Sequence, residues 1–171
     1  SGTIIGFLLL EQRDDRTMTA LQVTPLSPVI YLIYLLSLPM LASFLITVIT
    51  FFLAGLGSVG LRAITVTSLA SAPLAPLAAL TLASFAENKV QGFAFVKASI
   101  VLWIAPVSAY FLKSKWELAF GVVPLYWPCK LYWLFSAADS GIGFNLVAGL
   151  IYNGFILALL LQKFKKTFYN G

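Results

Sequence analysis

Four long apolar stretches dominate this sequence and decide what it can fold into. They run over residues 29–56, 63–86, 92–112 and 141–161. Each has about the 20 mostly apolar residues that a helix needs to cross a bilayer, and Lys97 is the one charged residue within them. The sequence therefore predicts an all-α, polytopic bundle of transmembrane helices, with residues 28–162 as its membrane domain.

The composition excludes several function classes. Hydrophobic residues make up 60% of the chain and charged residues 10%, whereas a soluble domain carries roughly 25% charged residues. A disordered chain, a nucleic-acid-binding domain and a disulfide-rich scaffold are excluded, and the expected surroundings are a lipid bilayer. There is no histidine, and Cys129 is the single cysteine. We therefore expect no metal site, no cofactor and no enzymatic activity of the chain's own.

The residues between the third and fourth stretches are apolar but do not read as another span. Residues 113–140 contain Glu117 and Lys130, together with Pro124 and Pro128. Prolines remove backbone donors and interrupt helices. We expect this segment to lie at the membrane interface or to dip into the membrane and return, on the outer side.

Charge in the connecting segments indicates the orientation. Four spans place both ends of the chain on one side of the membrane. That side carries seven Lys and Arg residues, and the other side carries four. Because cytoplasmic loops carry the excess of basic residues, the plasma membrane is the expected location, with both termini cytoplasmic and residues 163–171 as a cytoplasmic tail. Residues 1–10 are apolar but too short to cross. We interpret them as the tail of a preceding transmembrane helix, with a short interfacial helix as the alternative.

The densest charge cluster follows directly after those ten residues. In a helix, Glu11 would face Asp14 and Asp15, and Arg13 would face Arg16. These pairs at spacings of three and four residues are repulsive, which suggests that the favourable partners lie elsewhere. The cluster is either a solvated cytoplasmic loop or a helix that presents both signs of charge to another protein.

Three motifs carry a resemblance to a known family. They are LLLEQRDDRT at residues 8–17, ENKVQG at residues 87–92 and VPLYWP at residues 123–128. In this order and spacing, they resemble type-2 ABC exporter permeases, and the fluoroquinolone-export-like group in particular. Set against the six spans of such permeases, this sequence is expected to begin after the first one to two of them.

The resemblance implies a half-transporter that works as a homodimer or pairs with a second permease. Residues 11–27 would form a cytoplasmic coupling helix that docks on a separate ATP-binding ABC subunit. The residues that would contact this ATPase there are Glu11, Arg13, Asp14, Asp15 and Arg16.

A second contact with the ATPase is expected in the connection between the second and third spans. Its residues Glu87, Asn88 and Lys89 would either touch the same subunit or cap the neighbouring helices. The chain itself has no nucleotide-binding motif, because the glycine-rich residues 55–60 lack the lysine that a phosphate-binding loop requires.

Some polar or helix-breaking residues lie inside the spans. Lys97 either belongs to a transport pathway or extends its amine to the interface. Asn145, Gly149 and Asn153 are spaced four residues apart and share one helix face, which serves either helix packing or a polar path or dimer seam. Bends are expected at the prolines of three spans, namely Pro39, Pro73, Pro76 and Pro106.

Two functions remain open on the residues alone. The first is the permease subunit of an ATP-driven exporter, and the alternative is a passive channel or a structural membrane subunit. The identity of the substrate does not follow from the sequence.

Overall fold

The computed structural model describes residues 2–14, 28–112 and 115–169, and all regular elements in these ranges are helical. The expected all-α class is confirmed. The α-helices are α1 (Gly2–Asp14), α2 (Pro28–Leu53), α3 (Leu61–Ser71), α4 (Leu74–Phe85), α5 (Lys89–Leu112), α6 (Tyr126–Ser136) and α7 (Ile142–Tyr169). Two 3-10 helices lie at Leu56–Val59 and Lys115–Val122.

Four segments of the described chain are long and apolar enough to cross a membrane. They are Ile33–Leu53, Leu61–Phe85, Lys89–Phe111 and Ile142–Phe164. They coincide with the four apolar stretches expected from the sequence, with shifts of a few residues at the ends. The protein is a multi-pass membrane protein.

The second of these segments, made of α3 and α4, is the centre of the bundle. In its most apolar window 72% of the residues are buried, against 17–18% in the other three segments. Helix α4 packs on α1, α2 and α7, and α3 packs on α2 and α6. Small side chains permit such close contact between helices in a membrane: a β-carbon at Gly6 of α1 would lie 2.8 Å from Leu82 Cδ2 of α4.

A break divides this central span in its middle. Helix α3 ends at Ser71 and α4 begins at Leu74, because Pro73 has no N–H for the carbonyl of Leu69. The preceding Ala72 N–H donates to that carbonyl instead, at 3.3 Å. The span is thus interrupted at Pro73, one of the two prolines at which a bend is expected, whereas Pro76 lies within α4. Pro39 and Pro106 likewise lie within α2 and α5 without interrupting either helix.

The segment between α5 and α7 is a hairpin made of the second 3-10 helix and α6. A β-carbon at Gly149 of α7 would lie 2.9 Å from Trp127 Cβ, and one at Gly141 would lie 3.9 Å from Leu134 Cδ1. The start of α6 therefore lies beside the interior of α7, and the end of α6 lies beside the start of α7. Helices α6 and α7 run antiparallel.

The tip of the hairpin lies beside α7, a little more than a third of the way along that helix. The hydroxyl of Tyr152 donates to the carbonyl of Val122, at the end of the 3-10 helix. Tyr152 is ten residues into α7, or about 15 Å at the helical rise of 1.5 Å per residue. The described part of residues 113–140 therefore turns back on itself beside α7. That this segment lies at the interface, or dips into the membrane and returns, stays a prediction.

An ion pair and two hydrogen bonds close the hairpin internally. Glu117 Oε1 accepts from Lys130 Nζ at 2.7 Å and from the hydroxyl of the fully buried Tyr126 at 3.0 Å. Trp127 Nε1 donates to the carbonyl of Gly121 at 3.0 Å. These bonds join the 3-10 helix to α6 and hold the hairpin as one unit.

Candidate functional site

Three segments that are distant in sequence meet at one end of the bundle. Helix α1 brings Glu11 to Lys89 at the start of α5, and their side chains form an ion pair of 2.8 Å. From α7, Lys163 Nζ lies 3.2 Å from the ring centroid of Phe85, the last residue of α4. We call this region the charged end and define it by Glu11, Glu87, Asn88, Lys89 and Lys163.

The pair between Glu11 and Lys89 leaves both side chains accessible. About half of each is exposed, 50% for Glu11 and 55% for Lys89. Exposed ion pairs contribute only about 0–1 kcal/mol to stability. The pair therefore adds little to the fold, and both side chains can be reached from outside the bundle.

Asn88 caps helix α5. Its Oδ1 accepts the N–H of Gln91 at 2.8 Å, and Gln91 Oε1 in turn accepts the N–H of Glu87 at 2.6 Å. Such bonds satisfy backbone donors that have no partner in the first turn of a helix. The capping role expected as one of two alternatives for this loop is thus present, while the side chains of all three loop residues stay exposed.

The charged segment that begins at Glu11 is described only in part. Helix α1 continues through the boundary expected after residue 10 and includes Arg13 and Asp14. Asp15 and Arg16, like the rest of the expected coupling helix up to residue 27, lie outside the described residues.

Lys97 lies deeper in its helix than the sequence suggested. Helix α5 begins at Lys89 rather than at residue 92, so Lys97 is eight residues from the start, or about 12 Å. Its side chain is exposed on the outside of the bundle.

The polar stripe on α7 separates into two kinds of residue. Asn145 Nδ2 donates to the carbonyl of Gly141 at 2.8 Å, and Gly149 lies against the ring of Trp127. Both have roles in the local packing. Asn153 is fully buried, and neither its amide nitrogen nor its amide oxygen has a hydrogen-bond partner within the described parts of the chain.

A chain of hydroxyl groups joins α2 to α3 beside the break in the central span. Ser43 Oγ donates to the carbonyl of Ser71 at 3.0 Å, and Ser71 Oγ donates to Thr47 Oγ1 at 2.9 Å. Thr47 Oγ1 also donates to the carbonyl of Ser43, at 2.8 Å. The sequence analysis did not single out Ser43 or Thr47; the signal for them was their four-residue spacing within an otherwise apolar helix.

The charged end holds no arrangement typical of a metal site. Where the structure describes the chain, no group of three His, Cys, Asp or Glu residues could hold a metal ion. The charged end exposes ionic and hydrogen-bonding groups, which are suited to binding another protein.

Comparison with known proteins identifies the family. The chain matches the family described as "Fluoroquinolones export permease protein Rv2686c-like" over residues 1–161. It is 33% identical over 168 residues to the fluoroquinolones export permease proteins Rv2686c and MT2760, from Mycobacterium tuberculosis strains H37Rv and CDC 1551.

Each of these alignments covers 96% of this chain and 66% of the relative. The chain thus spans slightly less than two thirds of the length of these relatives. No solved structure is significantly similar to it. The family resemblance carried by the three motifs is confirmed, and the chain belongs to the family of Rv2686c-like fluoroquinolone export permease proteins.

Proposed function

We propose that this chain is a membrane-spanning permease subunit of an ATP-driven ABC exporter, which couples a separate ATPase subunit to the efflux of a substrate. The family membership supports the transport role, because the relatives are named export permeases. The four apolar segments supply the membrane part. ATP hydrolysis belongs, in this proposal, to the partner chain.

The observation that carries the proposal is the convergence of segments at the charged end. An ATPase bound there would touch α1 through Glu11 and the loop before α5 through Lys89, which already contact each other. The same loop begins where α4 ends, at Phe85. A displacement of the loop would therefore move α4 directly.

Helix α4 is well placed to pass such a displacement into the membrane. Eight of its residues, among them Leu77 and Leu80, are buried, and it packs on α1, α2 and α7. A packed helix moves as a rigid unit. Motion at the charged end would accordingly reach the break at Ala72 and Pro73, in the middle of the central span.

The proposed assembly places the charged end in the cytoplasm and pairs two permease chains. The positive-inside bias of the sequence supports this orientation. The three spans around the central one expose most of their apolar surface. Lipid would cover part of this surface. A second permease, either an identical copy or a related chain, would cover the rest.

The experiment is affinity purification of the tagged protein from its native membranes, followed by mass spectrometry. We expect an ABC ATPase to copurify with it. The double variant Glu11→Ala/Arg16→Ala should weaken this copurification at least fivefold and abolish substrate-stimulated ATP hydrolysis. The matched control is Arg62→Ala, an exposed cation at the opposite end of the central span. Undiminished coupling in the double variant would contradict this assignment of the segment.

A further inference from the structure

A layer of polar side chains lies at mid-height in two of the four spans, and the break lies at the middle of a third. Ser43 is the middle residue of the segment Ile33–Leu53, Pro73 is the middle residue of the central span, and Asn153 is the middle residue of the α7 span. Polar groups at this depth in a membrane are costly unless they have hydrogen-bond partners.

The polar groups on the α2 side of this layer all have hydrogen-bond partners. The hydroxyl chain formed by Ser43, Thr47 and Ser71 links α2 to α3, with donor–acceptor distances of 2.8–3.0 Å. These hydroxyl groups bond to one another and to backbone carbonyls. They serve the packing of α2 on the central span.

The polar group on the α7 side of the layer, the amide of Asn153, has no hydrogen-bond partner within the described residues. Asn153 lies on the buried stripe of α7, between Gly149 and Leu160, with a relative exposure of 0%. Both polar atoms of its amide lack a partner in the described structure, so exchanging the amide oxygen and nitrogen would not remove the deficit. A buried amide without hydrogen bonds destabilises the protein that contains it.

Two more unpartnered hydroxyl groups lie on the half-span that leads to the break. Thr67 Oγ1 and Ser68 Oγ of α3 are buried and make no hydrogen bond within the described residues. Helix α3 contacts α7, so these hydroxyl groups and Asn153 belong to neighbouring helices. Three polar side chains on two packed helices are thus left without the partners that hydrogen bonding requires.

Helix α4 brings no charge to α7, and the charged residues of the hairpin that also packs on α7, Lys130 and Glu117, are paired with each other. Helix α4, which packs along α7, consists of apolar residues, Thr81 and Ser84. Lys97 is on α5, on the outside of the bundle. An ionised group of a ligand would find no counter-ion here, whereas an amide, ketone or hydroxyl group would find donors and acceptors.

We propose that Asn153, with Thr67 and Ser68, forms a binding site in the transport path for an uncharged hydrogen-bonding group of an amphipathic small molecule. The proposal rests on the proposed permease function and names the ligand chemistry of that permease. The full burial of Asn153 means that this conformation is the closed one. The site opens when α4 tilts away from α3 at the break beside Pro73.

The first test uses stability, which does not depend on transport. Asn153→Leu keeps the branched shape of the side chain and removes both unpartnered atoms. We expect its thermal unfolding midpoint in nanodiscs to rise by about 2–4 °C. The control Thr47→Val removes a satisfied hydroxyl at the same level, so its midpoint should fall. A fall for Asn153→Leu as large as that of the control overturns the proposal, because the amide would then have structural partners.

The second test uses two probes of the proposed chemistry, a fluoroquinolone and the uncharged aromatic amide benzamide. A saturating amount of at least one probe should raise the unfolding midpoint of the wild-type protein and of Thr47→Val. It should leave the midpoint of Asn153→Leu unchanged. Asn153→Ala, which removes the amide without adding atoms, serves as the second variant if the leucine variant does not fold. No shift in the wild type with either probe, or equal shifts in the wild type and the Asn153 variants, overturns the proposal.

The third readout separates this proposal from the permease function. Asn153→Leu should copurify with the ATPase as the wild type does, while its ATP-dependent movement of the bound probe falls at least tenfold. If the wild type does not copurify with an ATPase, the proposed function is contradicted, but the test of ligand binding stays valid. Unchanged probe movement by Asn153→Leu, with a functional wild-type complex, contradicts the binding site alone.

Discussion

Glu11 Oε1 and Lys89 Nζ, which belong to residues 78 positions apart in the sequence, lie 2.8 Å from each other at one end of the bundle. The charge cluster that follows the apolar start of the chain therefore finds a partner within the same chain. The ion pair joins the last turn of α1 to the start of α5. It also brings together the two segments that the proposed ATPase would touch.

A charge exchange tests what this pair contributes. We expect the double variant Glu11→Lys/Lys89→Glu to unfold at nearly the wild-type temperature, because an exposed pair is worth about 1 kcal/mol or less. Its ATPase copurification should fall, because both charges presented to the partner are inverted. A coupling energy well above 1 kcal/mol in a double-mutant cycle would show instead that the pair is structural.

Two glycines of α7 provide a matched pair for testing how the hairpin packs on this helix. Gly149→Ala would place a β-carbon 2.9 Å from Trp127 Cβ, so we expect a loss of about 1–3 kcal/mol in the free energy of unfolding. Gly154→Ala is the control, since no atom lies within 4 Å of its added carbon. That control should be neutral or stabilising by up to about 1 kcal/mol. Equal effects at both positions would mean that Trp127 does not pack on Gly149.

The ion pair inside the hairpin should protect the single cysteine. Burial raises the pKa of Cys129 to about 11, so very little of the thiol is a reactive thiolate near neutral pH. Maleimide labelling of the wild type should be slow. Glu117→Gln weakens the contact with Lys130 and should speed labelling severalfold by loosening the hairpin. Glu87→Gln, at the other end of the bundle, should not change the labelling rate.

Alkaline unfolding should depend on Tyr126. Burial raises the pKa of its phenol above the ordinary value of about 10 in the folded protein, and the neighbouring carboxylate of Glu117 adds to the rise. The folded state therefore prefers the neutral phenol, and its stability falls as the pH rises above 10. Tyr126→Phe should show a smaller fall between pH 9.5 and 11.5. Tyr34→Phe, which changes an exposed tyrosine of α2, should behave like the wild type.

Apolar length and proline position were sufficient to predict most of the fold. The four spans follow from runs of about 20 apolar residues, and the break beside Pro73 follows from the missing backbone donor. Pro39 and Pro106 show the limit of that rule, since α2 and α5 continue through them. A proline removes one hydrogen bond, and the packing around it decides whether the helix ends there.

Contacts between distant residues could not be predicted in the same way. Local spacing rules treat residues three or four apart, so they do not reveal that Glu11 reaches Lys89. They also do not show that Asn153 lacks a partner while Asn145, on the same helix face, bonds to Gly141. Both findings depend on which helices pack together, and that arrangement is a property of the whole bundle.

Photo-crosslinking from the charged end tests the central claim most directly. A photoreactive amino acid is placed at position 87, or at position 62 as the control at the opposite end, and the intact cells are irradiated. The account predicts an adduct with an ABC ATPase from position 87 and none from position 62. An adduct from position 62 alone, or the absence of any ATPase adduct from position 87, would contradict it.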